Sequence, residues 1–244
     1  MSKTNLKAEL YENKDEGYSS NIRWDVIPLI PTGDNKILEV GCGAGYTLKK
    51  LKELGKANEI VGIEMNEQVS QDLSDTLDRL YVGDVETIDL PQNEKYFDYI
   101  LFVDVLEHLI NPRGVLHDYK TLLRDDGYII ASIPNIKHHS VLLPLIFFDE
   151  FQYSDFGLLD ASHLRFFTKK EILKMFKEEK LEVVDLIPLY DEPRWGKKYR
   201  NMLFTFLNKR LFSYLYRLQI LIMYFMDNSF YVRQYIIKAK KGEV

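Results

Sequence analysis

Apolar runs alternate with amphipathic stretches through the first half of the chain. Short apolar runs predict buried strands, and the run before Asp104 is apolar enough for burial on both faces. Stretches with helical spacing begin at Tyr46, at Pro112 and behind the predicted cap Asn66, where the helix would span 67–77. Strands that alternate with helices imply a parallel sheet with right-handed crossovers. The predicted strands span residues 37–40, 59–64, 80–84, 96–103 and 128–133.

The alternation breaks after Pro134. Residues 135–167 contain three histidines and many aromatic side chains without a clean period, so we expect an insertion that lies over the strand ends. Thr168 and Glu171 form a predicted capping box, which starts a helix that runs to about Lys180. The remaining predicted elements are a strand at 181–189, one or two helices over 199–226 and a last strand at 230–239.

Prolines and a glycine mark two further features. The apolar spacing over 22–30 fits a short helix that Pro28 and Pro31 interrupt. Residues 125–127, Asp-Asp-Gly, predict a turn ahead of the strand at 128–133.

The first strand ends in a glycine-rich turn, with glycine at positions 41, 43 and 45, and a predicted helix follows. Glycine permits positive φ and the close approach of a ligand, and the amides at a helix start attract anionic groups. The turn resembles a dinucleotide fingerprint, but Gly45 comes one position early and Tyr46 stands where that fingerprint has Gly or Ala. By itself the turn leaves a dinucleotide and a phosphate open.

Acidic residues lie in register with the predicted strand ends. Glu39 immediately precedes the turn, Glu64 ends the second strand and Asp84 ends the third. A carboxylate in the position of Glu64 can accept both ribose hydroxyls. One in the position of Asp84 can accept from an adenine amino group, and Glu39 can hold a ligand ammonium directly or through water. Together these residues predict an adenosyl ligand that carries an amine.

These motifs resemble those of the class I S-adenosylmethionine (SAM) dependent methyltransferases. The resemblance covers roughly residues 17–190. It implies SAM as the cofactor and an α/β, Rossmann-like, doubly wound sheet of seven strands in which the last strand is antiparallel. The matching segments are residues 38–45 (Leu-Glu-Val-Gly-Cys-Gly-Ala-Gly), Glu64, residues 82–85, 97–100 and 104–109, and the turn at 122–127.

The family pattern, carried over residue by residue, implies a set of SAM contacts. Small-molecule methyltransferases of this type often place an N-terminal arginine on the methionine carboxylate, which would be Arg23 here, and an arginine on a solvated helix is the alternative. The implied contacts are Tyr18, Arg23, Glu39, Gly41, Cys42, Gly43, Gly45, Glu64, Met65, Gly83, Asp84, Val85 and Val103.

Polar residues with catalytic chemistry follow the fourth strand. Asp104, Glu107 and His108 have the acid-x-x-Glu-His spacing that resembles ubiquinone-type O-methyltransferases. Three interpretations stay open: Glu107 and His108 orient a loop, His108 is a general base, or the three side chains bind a divalent cation. We expect SAM without a metal ion.

A second histidine belongs to the predicted insertion. The segment 160–168 with residues 132–135 resembles a subgroup of methyltransferases that accompany glycosyltransferases in surface-polysaccharide pathways. That resemblance implies that His163 faces the acceptor, and a structural histidine is the alternative. The candidate catalytic residues are His108, His163, Asp104 and Glu107.

The resulting functional hypothesis is O-methylation of a sugar hydroxyl or phosphate-type oxygen on a nucleotide-linked or lipid-linked glycan precursor of capsule or lipopolysaccharide. Methylation of a small quinone-like phenol is the alternative, and a SAM-binding regulator without catalysis is a third. Nucleic acid is not expected as a partner, because no Asn/Asp-Pro-Pro-Tyr follows the fourth strand and the body of the chain is acidic.

Composition adds the domain organisation and the expected location. The net charge of −5 conceals 11 Lys and Arg against 2 Asp and Glu over 194–244. The predicted helices there would pack on the sheet, form a homodimer, or contact a membrane surface or an anionic lipid-linked substrate. The single cysteine and the polar start predict a cytoplasmic protein. We expect a helical lid at 1–35 and a methyltransferase domain at 36–244, with an acceptor lid at 135–167 and basic, aromatic helices at about 191–228.

Overall fold

The computed structural model describes residues 21–66, 76–90, 94–190 and 228–242, together with Val69. The predictions for Tyr18, for most of the helix at 67–77 and for the segment 199–226 lie outside the described residues. Among the helices that are described, none is both long and apolar enough to cross a membrane.

The core of the fold is a mixed sheet of seven strands in the order β3-β2-β1-β4-β5-β7-β6. Strand β7 pairs antiparallel with β5 and β6, and the other pairings are parallel. The fold class predicted from the sequence is therefore confirmed, including the antiparallel last strand. The strands are β1 (Lys36–Val40), β2 (Glu59–Glu64), β3 (Arg79–Val82), β4 (Phe97–Val103), β5 (Leu123–Pro134), β6 (Leu181–Tyr190) and β7 (Val232–Lys241).

Side-chain caps mark helix starts, as the sequence predicts for Thr168. Asn111 accepts from the Gly114 amide at 3.1 Å at the start of the second helix, and Thr168 caps the fourth through the Glu171 amide. Single 3-10 turns lie at Ile27–Leu29, Leu106–His108 and Asn228–Phe230. The α-helices within the described ranges are α1 (Tyr46–Glu53), α2 (Pro112–Leu122), α3 (His139–Phe148) and α4 (Lys169–Glu178).

Each face of the sheet buries its own apolar cluster. Leu38 and Val40 of β1 point to the face covered by α2 and α4, while Ile37 points to the face covered by α1 and the 3-10 turn at Ile27–Leu29. Neighbouring side chains of a strand lie on opposite faces, so one strand serves both clusters. This two-sided burial explains the nearly continuous apolar runs in the sequence.

One local prediction is wrong, and two features of the insertion are not evident from the sequence. Residues 125–127 lie within β5 as a bulge, because the register against β4 shifts from Phe97↔Leu123 to Tyr99↔Tyr128. The insertion contains helix α3, which has no polar face and therefore shows no amphipathic period. The rings of the neighbouring His138 and His139 lie together, with centroids 4.0 Å apart.

The strand order reverses at β1, which lies between β2 and β4. In doubly wound sheets ligands bind in the crevice at the carboxyl ends of the strands beside such a reversal. The carboxyl ends of β1, β2 and β4 are therefore the place where the fold positions a site.

Candidate active site

The backbone of the turn after β1 strongly favours glycine at three positions. Gly41, Gly43 and Gly45 have φ values of 65°, 51° and 68°, a region that other residues rarely adopt. A side chain at position 41 would also place its Cβ 2.8 Å from a methyl carbon of Val105. The turn therefore keeps the backbone bare and presents the start of α1 to the crevice.

Two predicted acidic contacts lie at the ends of β2 and β3, and one of them reaches this turn. Glu64, at the end of β2, accepts from the Gly43 amide at 2.8 Å and from the Asn66 amide at 2.9 Å. Asp84 follows β3 and accepts from the Glu86 amide at 3.0 Å. Both residues therefore follow the strand ends that the sequence predicts for them. The other predicted contacts at these strand ends are Cys42, Met65, Gly83, Val85 and Val103.

Glu39 is a buried carboxyl beside the turn. Its side chain belongs to a residue only 4% exposed, and its Oε2 has no hydrogen-bond partner among the described residues. Burial raises the pKa of Glu39 to about 8, the nearby Arg23 guanidinium opposes the shift, and Glu64 adds to it. An unpartnered buried oxygen next to a bare glycine turn fits the amine of a SAM-like ligand.

Arg23 connects the N-terminal segment to the same edge of the sheet. Its guanidinium donates to Asp25 at 3.0 and 2.8 Å, to Ser132 Oγ at 2.8 Å, and to Asp104. Burial raises the pKa of Asp104, although the charge of Arg23 opposes that shift. Two carboxylates therefore occupy the guanidinium that the sequence assigns to the methionine carboxylate, and that assignment stays a prediction.

Asp104 forms hydrogen bonds with residues outside the set of candidate catalytic residues. It has a φ of 57° and accepts from Arg23, from Ser132 Oγ at 3.3 Å and from Gln234 of β7. Sequence reasoning missed Ser132 and Gln234 as its partners. Ser132 lies near the end of the adjacent strand β5, opposite Val103, whereas the pairing of β7 with β5 brings Gln234 there.

Glu107, His108 and His163 form a buried cluster, which we call the acceptor-side cluster. The 3-10 turn at Leu106–His108 places the first two directly after β4, and the insertion contributes His163. The His163 Nε2 is 4.0 Å from Glu107 Oε1, and the two imidazole rings lie 4.7 Å apart edge to face. Burial, and next the charge of Asp104, raise the pKa of Glu107 well above its usual value. The fold thus brings His163 to two residues that lie more than fifty positions earlier in the chain.

Backbone hydrogen bonds hold the insertion against this turn. The amides of Leu164 and Arg165 both donate to the Glu107 carbonyl at 2.9 Å. His108 Nδ1 lies 3.1 Å from the Ser162 carbonyl. The Ser162 amide and hydroxyl donate to Asp160 Oδ1 at 2.8 and 2.6 Å, which fixes this segment.

Comparisons with known proteins agree with this architecture. The family model described as a methyltransferase domain matches residues 13–186. A ubiquinone biosynthesis O-methyltransferase of Glaesserella parasuis is 25% identical over 169 residues, which cover 65% of this chain and 70% of the relative. A tRNA U34 carboxymethyltransferase of Saccharophagus degradans is 29% identical over 126 residues, 48% of this chain and 38% of that one. The chain spans about half the length of several other curated relatives it matches.

A solved structure gives the same result for the fold. The SAM-dependent methyltransferase from Archaeoglobus fulgidus superposes with a TM-score of 0.64 at 17% identity, covering 98% of this chain and 100% of that one. The family match covers most of the chain. The glycine turn and the carboxylates at the strand ends are consistent with that match. The chain belongs to the methyltransferase domain family and is a SAM-dependent methyltransferase.

Proposed function

We propose that this enzyme transfers the methyl group of SAM to a hydroxyl of a small phenol-type acceptor. The observation that carries the proposal is the acceptor-side cluster, which follows β4 at the sheet edge where doubly wound folds generally bind ligands. The similarity to a ubiquinone biosynthesis O-methyltransferase supports an oxygen acceptor on a small molecule. The glycan acceptor expected from the sequence draws no support from these relatives and remains the alternative acceptor.

The residues around the glycine turn would bind the cofactor. Glu39 pairs with the ammonium, Glu64 exchanges its bond to the Gly43 amide for the ribose hydroxyls, and Asp84 accepts from the adenine amino group. Bound SAM supplies a methyl group on a positively charged sulfur, which is a good leaving group. The main demand on the protein is therefore to align the acceptor oxygen with that methyl group.

The acceptor-side cluster would help the acceptor hydroxyl lose its proton. A phenol at neutral pH is a weak nucleophile until its oxygen is ionised. His163 is oriented by a contact of its Nδ1 with the Leu158 carbonyl at 3.2 Å, which turns Nε2 toward Glu107. Asp104 would serve as a positioning residue, because it accepts a hydrogen bond from the Arg23 guanidinium and so holds that side chain at the strand ends.

An acceptor panel with radiolabelled SAM tests the proposal. The panel contains a catechol-type phenol, a nucleotide sugar, a lipid-linked saccharide and tRNA. We expect transfer to the phenol, and kcat for that acceptor should fall at least about tenfold in His163→Ala with little change in SAM affinity. Transfer to the saccharides alone, or SAM binding without transfer to any acceptor, would contradict it.

A further inference from the structure

The acceptor-side cluster contains a set of donors suited to a metal ion. Glu107, His108 and His163 offer one carboxylate oxygen and two imidazole nitrogens, all within 4.8 Å of one another. All three residues are buried. Two imidazoles and one carboxylate are the ligands of several catalytic zinc sites and of nonhaem iron sites.

The carboxylate of Glu107 gives an independent reason to expect a cation. The residue is 0% exposed, and neither carboxylate oxygen has a hydrogen-bond partner among the described residues. Burying a carboxylate without a partner is costly, and a bound cation removes that cost. The Nε2 of His163 lies 4.0 Å from Glu107 Oε1, close enough for both to reach one ion after small side-chain rotations.

Outer contacts orient both imidazoles toward this carboxylate. Nδ1 of His163 lies 3.2 Å from the Leu158 carbonyl, and Nδ1 of His108 lies 3.1 Å from the Ser162 carbonyl. If each Nδ1 carries the proton, it donates to that carbonyl, and Nε2 on the opposite side of the ring becomes the ligand atom. Such carbonyl contacts commonly fix metal-binding histidines in proteins.

The geometry points to a divalent cation of the Zn²⁺ or Mn²⁺ type, bound by Glu107, His108 and His163, whose open position takes the acceptor oxygen. Mixed nitrogen and oxygen ligands suit these ions better than Mg²⁺, which prefers oxygen. Asp104 is no ligand, because Arg23, Ser132 and Gln234 bind it. The sequence predicts no metal ion and offers Asp104 as a possible ligand, whereas the proposed site contains a metal ion and has His163 in place of Asp104.

The role of the cation rests on the proposed function. A cation lowers the pKa of a bound hydroxyl, so the acceptor releases its proton to water at neutral pH. The ionised oxygen then forms the C–O bond while the C–S bond of SAM breaks, and the sulfur leaves as a neutral thioether. The histidines act as ligands in this scheme.

Metal titration of the full-length chain tests the site without measuring activity. After treatment with a chelator, Zn²⁺, Mn²⁺ and Mg²⁺ are titrated by calorimetry into the wild type, Glu107→Gln, His163→Ala and the control His117→Ala. His117 is an exposed histidine paired with Glu179 at 3.0 Å, so its removal deletes a surface imidazole only. Unchanged SAM binding and circular dichroism establish that each variant is folded.

We expect one equivalent of Zn²⁺ or Mn²⁺ in the wild type and in His117→Ala. Both cluster variants should bind more weakly by at least about tenfold, and Mg²⁺ should bind weakly throughout. Equal binding in all four proteins, or no binding in any, would overturn the inference.

Assays of methyl transfer distinguish a failure of this inference from a failure of the proposed function. Metal binding at the cluster with no transfer to the phenol would contradict the acceptor proposal and leave the site in place. Transfer by metal-free enzyme at the full rate would overturn the role of the cation and leave the acceptor proposal standing. Loss of transfer on chelation, with unchanged SAM affinity and recovery on adding the ion, would support both.

Discussion

At the scale of single residues, two buried carboxyls lie at the carboxyl ends of neighbouring strands, Glu39 within β1 and Glu107 after β4. Glu39 lies beside the glycine turn and Glu107 lies in the acceptor-side cluster, and each has an oxygen without a hydrogen-bond partner among the described residues. Buried polar atoms normally find partners. A ligand amine beside Glu39 and a cation beside Glu107, as proposed, would supply partners that the described residues do not.

Replacing Glu39 by Gln should reduce the pH dependence of stability. Burial raises the pKa of Glu39 from 4.5 to about 8 in the folded protein, so between these values the folded state holds a proton that the unfolded state has lost. Stability from this group is therefore greatest below pH 4.5 and falls as pH rises through about 8. From pH 6 to 8 the free energy of unfolding should drop by about 2 kcal/mol more in the wild type than in Glu39→Gln.

Urea unfolding of the ligand-free protein at both pH values measures this difference. Glu53→Gln is the control, because the hydrogen bond from Lys50 lowers the pKa of exposed Glu53 and it titrates below this range. The control should follow the wild type. Identical slopes for wild type and Glu39→Gln would show that the carboxyl is ionised in the folded state.

At the scale of elements, the predicted capping box located a helix start that the structure contains. Thr168 is followed by α4, as its spacing from Glu171 predicts. Helix α3 was missed because its residues are apolar on every side. A side chain that bonds to its own helix start is a local signal, whereas an apolar helix resembles a buried strand in sequence.

Replacing Thr168 by Ala should destabilise the protein by about 1 kcal/mol, since the substitution leaves the Glu171 amide without its acceptor. Thr121→Ala is the matched control, because the exposed Thr121 hydroxyl donates to the Asp118 carbonyl and caps no helix start. Denaturant unfolding should show little change for the control. An equal effect in both variants would mean that the cap contributes nothing specific.

At the scale of the whole molecule, the last strand joins parts of the chain that are far apart in sequence. Strand β7 enters between β5 and β6, and the buried Asn135 amide donates to the carbonyls of Ser229 and Val232 at 2.7 Å each. Gln234 of the same strand reaches Asp104. The start of the insertion and the acceptor side of the crevice thus both depend on β7.

Replacing Asn135 by Ala should lower the free energy of unfolding by roughly 2 to 4 kcal/mol, because two buried carbonyls lose their donor. Thermal and urea unfolding measure the loss, with the exposed Asn58→Ala as control. The destabilised variant should still bind SAM below its melting temperature, since the glycine turn lies elsewhere. A loss below about 0.5 kcal/mol would contradict a joining role for Asn135.

The sequence alone determined the sheet and the cofactor side of the site. Buried strands, glycine turns and caps are encoded by neighbouring residues, so local patterns suffice to place Gly41, Gly43, Glu64 and Asp84 at strand ends. Their chemistry follows from that placement, because parallel strands bring their carboxyl ends to one edge of the sheet.

Only the tertiary structure decided how the acceptor side is assembled. The sequence grouped Asp104 with Glu107 and His108 because they are close in the chain. The fold instead pairs Asp104 with Arg23 and brings His163 to the other two. Such pairings join segments that are far apart in sequence. They depend on how the insertion and β7 pack on the strand ends, and no local sequence pattern encodes that packing.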